Sequence, residues 1–106
     1  MENQQCTPLL SAVDDALYVI GGKWKLRVIT ALLDNPSRFN EIQRLVQGIS
    51  ATVLSTELKA LELNGFVQKF EDTYQLTDYS HTLYDVVMAL GKWGKLHAQA
   101  IRAKQV

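Results

Sequence analysis

A single cysteine, Cys6, is all the sulfur chemistry this chain offers for cross-linking, so no disulfide can form within it, and the bridges that brace small secreted domains are missing. A reducing, cytoplasmic location is the expectation. No apolar run approaches the ~20 residues of a membrane helix, and the opening MENQQCTPLL lacks a basic start followed by an apolar stretch. No membrane partner is expected. Net charge is also lacking, since eleven Lys and Arg balance eleven Asp and Glu. Phosphate binding leans on basic side chains, so this neutrality argues mildly against nucleic acid. The two histidines, His81 and His97, have no Cys or carboxylate cluster at metal-ligand spacing, and neither a metal nor another cofactor is expected. There is no phosphate-cradling glycine loop and no nucleophile motif, because Gly21-Gly22 joins two helical patterns and follows no strand. No catalytic residue stands out, and an enzyme is not expected.

What is present fits one small domain. The 106 residues are 47% hydrophobic, enough for one core, and a chain this short gains by pairing with a second copy to cover apolar surface. The charge is unevenly spread. From Lys23 to Lys69 there are seven basic residues (Lys23, Lys25, Arg27, Arg38, Arg44, Lys59, Lys69) and four acidic ones (Asp34, Glu41, Glu57, Glu62), a local +3 against −3 in the flanks.

Periodicity divides the chain into helices and a hairpin. Thr7 and Pro8 read as the cap and first residue of a helix carrying Leu9, Val13, Leu17 and Ile20, which Gly21-Gly22 stops. A second helix places Trp24, Val28, Ile29, Leu32 and Leu33 on one side and ends at Asn35-Pro36. Ser37 reads as the cap of a short third helix with Phe39, Ile42, Leu45 and Val46 buried. After the turn QGIS, Ser50 caps a fourth helix that runs to Asn64-Gly65, a good left-handed stop. Two short helices joined by a tight glycine-containing turn are the helix-turn-helix layout, here about residues 37–64. FVQKF and TYQL flank Glu71-Asp72 as a hairpin, about 66–76. From Asp78 to about residue 104 the period is helical again, with Leu83, Val86, Val87, Leu90, Gly94, His97 and Ile101 on one stripe. That stripe and the one on the first helix are the candidate dimer surface; the alternative is that both close the core of the monomer.

The fourth helix carries two faces. At about 100° per residue, Thr52, Ser55, Thr56 and Lys59 share one side, Leu54, Leu58 and Leu61 the opposite one, and Glu57 lies away from the hydroxyl stripe. Short hydroxyls permit close approach to a major groove, and a lysine adds a phosphate contact. Such a face is also what a solvated helix shows. Cys6, just ahead of a helix N-terminus, is placed where the helix dipole favours thiolate, which makes it a candidate sensor; an inert thiol near a chain end is the plainer alternative.

The motifs C-T-P…ALYVIGGKW, LLDNPSRFNEIQRLVQGISATVLSTELKALELNGFV and YQLTDYSHTL closely resemble the HxlR-type family of bacterial winged helix-turn-helix transcription regulators, over Cys6 to about Gly94. The fold the resemblance implies is mainly α with a small β-hairpin, one domain over residues 1–106. It further implies a homodimer formed by the N- and C-terminal helices, with Leu9, Val13, Leu17, Leu83, Val87, Leu90, His97 and Ile101 as interface candidates. The partner implied is double-stranded operator DNA, with Ser50 to Lys59 in the major groove, Ser37, Arg38 and Asn40 near phosphate, and Lys69 at the base of the wing. On that footing Thr52, Ser55 and Thr56 are assigned to bases and Arg38, Arg44, Lys59 and Lys69 to phosphate. A cysteine at the position of Cys6 senses oxidants or electrophiles in several members. The chain departs from the family pattern in three places. Its wing tip is a short acidic Glu71-Asp72 in place of a longer proline-containing hairpin; Ala51 and Thr52 replace a proline and a basic residue after the serine cap; and Ser80 replaces a glycine. Net neutrality, the acidic wing tip and the missing basic residue at Thr52 support a second reading, a winged-helix protein-interaction module that does not bind DNA.

Overall fold

A computed structural model describes residues 6–104. Five helices and three short strands follow in the order α1 (Cys6–Ile20), α2 (Lys25–Leu32), β1 (Ser37–Arg38), α3 (Phe39–Leu45), α4 (Ala51–Leu63), β2 (Val67–Phe70), β3 (Thr73–Leu76) and α5 (Tyr84–Lys104), with a 3-10 segment, Asp78–Leu83, leading into α5. The strands form one antiparallel sheet in the order β1-β3-β2. In it Arg38 pairs with Thr73, which also faces Phe70 at the hairpin end.

The core is built from the middle of the chain. Val28, Ile29 and Leu32 of α2, Ile42 of α3, Leu54, Leu58 and Leu61 of α4, and Phe66, Val67 and Tyr74 of the wing close it, with Val46 and Ile49 filling the turn between α3 and α4. Apolar residues at spacings of three and four put the leucines of α4 on one inner stripe, as the sequence requires. Among the described side chains of α1 only Ile20 is buried, and α5 buries nothing completely. Most of the two stripes is therefore left uncovered by the monomer core, Ile20 and Leu83 being the members that reach it.

Several local expectations need correction. The first helix begins at Cys6, so Thr7 lies inside its first turn and is not its cap; Pro8 is tolerated there because the first four N–H groups of a helix lack partners anyway. The side chain of Cys6 lies outside the described residues. The second helix ends at Leu32, short of Asn35-Pro36. Ser37 does not cap α3: it is buried in β1, and its hydroxyl donates to the carbonyl of Asn35 at 3.2 Å. The cap position belongs to Arg38, whose backbone N–H donates to Glu41 Oε1 at 2.8 Å, the return half of a capping box. Leu45 is 62% exposed, since it falls about 90° from the centre of the face defined by Phe39, Ile42 and Val46. The last helix does not run unbroken from Asp78, because its first six residues take the tighter 3-10 path. Ser80 lies fully buried within that path and donates its hydroxyl to the carbonyl of Phe66. Thr77 reinforces the same junction, its hydroxyl donating to Gly65 O at 2.6 Å and its N–H to Phe66 O at 3.0 Å. A side-chain hydroxyl at position 80 thus ties the base of the wing to the start of the C-terminal segment.

Candidate nucleic-acid interface

Helix α4 is held by its ends. Ser50 Oγ accepts from the N–H of Val53 at 3.1 Å, satisfying one of the orphan donors of the first turn, and Asn64 and then Gly65 at φ 84° stop the helix. The turn before it is fixed as well: Gln43 Nε2 donates to Ile49 O at 3.2 Å, Arg27 Nη2 donates to Gln47 O at 2.9 Å, and Gly48 sits at φ 90°, where a glycine is at ease. With Leu54, Leu58 and Leu61 seated in the core, the opposite face is turned outward.

On that face Ala51, Thr52, Thr56 and Lys59 are exposed and Ser55 is half-buried. The hydroxyl of Thr56 donates to Thr52 O at 3.1 Å, so toward an external partner it offers acceptor lone pairs. Ser50, used as an acceptor by Val53, keeps its O–H free to donate. Lys59 has no acidic partner among the described residues. Glu57 does, and this is what the sequence reading missed: Lys25 Nζ at the start of α2 lies 2.9 Å from Glu57 Oε1, with the two side chains 25% and 18% exposed. Of the two acids of α4, Glu57 is thus turned away from the hydroxyl face and paired, while Glu62 is exposed.

Around α4 the remaining cations are differently engaged. Arg38 and Asn40 are exposed at the start of α3, and Arg44 is exposed in its last turn, one helical turn beyond Asn40. Arg38 Nε stands 3.6 Å from Asp72 Oδ2 of the wing tip, both side chains 70% exposed, so β1 pairing with β3 has brought the tip acid to a candidate phosphate contact. Lys69 stands two residues before the tip, not at the base of the wing, with its ammonium 5.3 Å from the ring centre of Tyr74. Lys23 and Arg27 both lie over the indole of Trp24, at 4.8 and 4.9 Å. Of the seven cations in the basic middle, Lys59 and Arg44 alone have neither an ion-pair nor a ring partner among the described residues. Ser37, being buried, is not presented with them.

The candidate interface between copies lies elsewhere. Seventeen large apolar or aromatic side chains are exposed among the described residues, and thirteen of them are on α1 and α5. Leu9, Val13 and Leu17 are among them on α1, and Leu90 and Ile101 on α5; His97 is also exposed and stacks on Trp93 with ring centres 4.9 Å apart. Trp93 and Leu96 enlarge the stripe read from the sequence. Leu83 and Val87 differ from the rest. Leu83 packs against the core, and Val87 lines a cleft of about 310 Å³ with Leu26, Arg27 and Thr30 of α2. No group of three or more metal-ligating side chains gathers among the described residues, and no helix there is long and apolar enough to cross a membrane.

A recognition helix on a capped supporting helix, with a three-stranded antiparallel wing behind it, defines a winged helix-turn-helix module. The sequence pattern of the HxlR-like helix-turn-helix family matches residues 19–102, and the chain belongs to that family of transcriptional regulators. Cys6 lies outside the matched range. A helix-turn-helix transcriptional regulator of Halalkalibacterium halodurans is 40% identical over 86 residues, spanning 74% of this chain and 76% of the relative. Among solved structures, the reduced form of the redox regulator HypR superposes with a TM-score of 0.76 at 30% identity, covering 87% of this chain and 98% of HypR. Quinone-bound YodB from Bacillus subtilis superposes with a TM-score of 0.73 at 30% identity, covering 81% and 98%.

Proposed function

We propose that the chain acts as a homodimer, joined through α1 and α5, which places α4 of each subunit in the major groove of operator DNA. The observation that carries this is the outward face of α4, where Thr52, Thr56 and Lys59 stand exposed while Glu57, in the middle of the helix, is paired away from it, leaving Glu62 near the C-terminal end as the helix's exposed acid. Hydroxyls meet base edges, Thr56 as acceptor; Ala51 is small enough to lie against a thymine methyl; and Lys59, Arg44 and Arg38 contact phosphate, with Asn40 beside them. Lys69, held over Tyr74, gives a weaker contact from the wing. Such a protein works by binding, in the cytoplasm. In a dimer the two recognition helices meet half-sites about one helical turn apart, or a multiple of it.

Titration of a duplex from the promoter of its own gene, across a range of salt, tests this. Affinity falls steeply with salt, and Lys59→Ala and Arg38→Ala each weaken binding. If both variants bind as the wild type does at moderate salt, the surface is wrong. The pairing of Arg38 with Asp72 favours the second reading, a protein-interaction module. Such a module would show no salt-dependent DNA binding, since it has no counterions to release.

Cys6 is proposed as the sensing thiol, supported by the likeness to HypR and to quinone-bound YodB. With one cysteine, oxidation can join two subunits, cap the thiol with a small molecule, or climb the sulfenic ladder. Diamide or a quinone then changes DNA affinity of the wild type and leaves Cys6→Ser unaffected; equal affinity in all four states removes the sensor.

A further inference from the structure

We propose that Lys25 and Glu57 are a positioning pair that fixes the angle of α4, so that Glu57 supports operator recognition without touching DNA. Two ion pairs occur among the described residues, and they differ in kind. Arg38 and Asp72 are 3.6 Å apart and open to solvent, whereas Lys25 and Glu57 make a 2.9 Å hydrogen-bonded contact with three-quarters or more of each side chain covered. A covered pair is screened less by salt and holds a narrower geometry than an exposed one.

Its position gives that geometry a use. Lys25 is the first residue of α2, directly after the turn that ends α1, and Glu57 is in the middle of α4, thirty-two residues away in sequence. The same turn region grips the other end of the motif. Arg27 Nη2 holds the carbonyl of Gln47, and the indole of Trp24 is 4.0 Å from where a side chain on Gly48 would begin. Residues 24 to 27 therefore hold the entry to α4 and its midpoint together. One attachment would leave a pivot, while two along the axis set an angle. The leucines of α4 set its depth and roll, but apolar contacts are not directional. Lys25 thus acts on DNA through Glu57, and the segment that holds α4 begins where α1 ends.

This inference rests on the reading of α4 as the DNA-reading helix, and its test separates the two. Fluorescence anisotropy of the full chain is measured with a promoter duplex from its own gene and with a mixed-sequence duplex of equal length. In Glu57→Gln a negative charge leaves the DNA-binding helix, so charge alone predicts tighter binding to both duplexes. Positioning predicts the opposite sign for the promoter: roughly tenfold weaker binding there, little change on mixed sequence, and the same salt slope, because no phosphate contact is lost. Lys25→Met produces the same loss of promoter preference. The exchange Lys25→Glu with Glu57→Lys recovers that preference, and any phosphate contact made by the new lysine appears separately as a steeper salt slope. Unchanged or tighter promoter binding by Glu57→Gln, or an exchange that recovers nothing, overturns the proposal while leaving DNA binding intact. A wild type that binds neither duplex in a salt-dependent way overturns the underlying reading too.

Discussion

Ser80 and Ser50 show how single hydroxyls hold α4 and the wing in place. Ser80 is buried and donates to Phe66 O, which also accepts the N–H of Thr77, so Ser80→Ala removes one of two bonds on that carbonyl and is expected to cost about 0.5–1.5 kcal/mol in urea unfolding. Glycine at that position removes the same donor, and no gain from the family's usual residue is expected here. Ser50→Ala removes the cap on α4 at a cost of about 1 kcal/mol, while Ser50→Gly costs only a few tenths. Lys59 has no partner to lose, so Lys59→Ala leaves stability nearly unchanged and lowers the salt slope of DNA binding by roughly 1 per subunit. A variant with the wild-type slope would show that Lys59 faces away from phosphate.

At the scale of elements the wing is the unusual part. Its tip brings Asp72 to Arg38, so the acid competes with phosphate for the same guanidinium. Asp72→Asn should tighten DNA binding a few-fold at low salt, no more, because an exposed pair is worth about 0–1 kcal/mol. Weaker binding would mean that Asp72 orients Arg38 for its contact. Much of this architecture was legible beforehand. The helix-turn-helix, Ser50 as cap, Gly65 as stop and the hairpin about Glu71-Asp72 follow from local signals of three to seven residues. What escaped was set by distant partners. The strand Ser37–Arg38 has two residues and no periodicity, and it exists because β3 offers an edge, which is why Ser37 looked like a cap and proved to be buried. The Lys25–Glu57 pair joins residues thirty-two apart, beyond any spacing rule. Leu45 fits a helical pattern, but α3 is too short and its inner face too narrow to bury it.

For the whole molecule, shape and surface point the same way. The radius of gyration is 16.3 Å, against about 13 Å for a compact chain of this length, because α1 and α5 extend beyond the core. A monomer rarely leaves so large an apolar surface in water. A second copy that covers α1 and α5 accounts for both facts, and Leu17→Asp with Leu90→Asp should shift sedimentation from dimer to monomer at micromolar concentration while the helix-turn-helix stays folded. A wild type that sediments as a monomer there would count against the dimer surface. If the proposed dimer binds DNA, the basic middle offers only Arg44 and Lys59 without an ion-pair or ring partner among the described residues, so both recognition helices are needed and the monomeric variant should lose promoter binding far more than Lys59→Ala does.

The central claim, that paired α4 helices read DNA through the Thr52, Thr56 and Lys59 face, is tested most directly by a nuclease footprint on the promoter of its own gene at moderate salt. The account predicts two protected half-sites one helical turn apart, or a multiple of it, lost at high salt and in Lys59→Ala. No protection by the wild type, or the same protection by Lys59→Ala and Arg38→Ala, would contradict it.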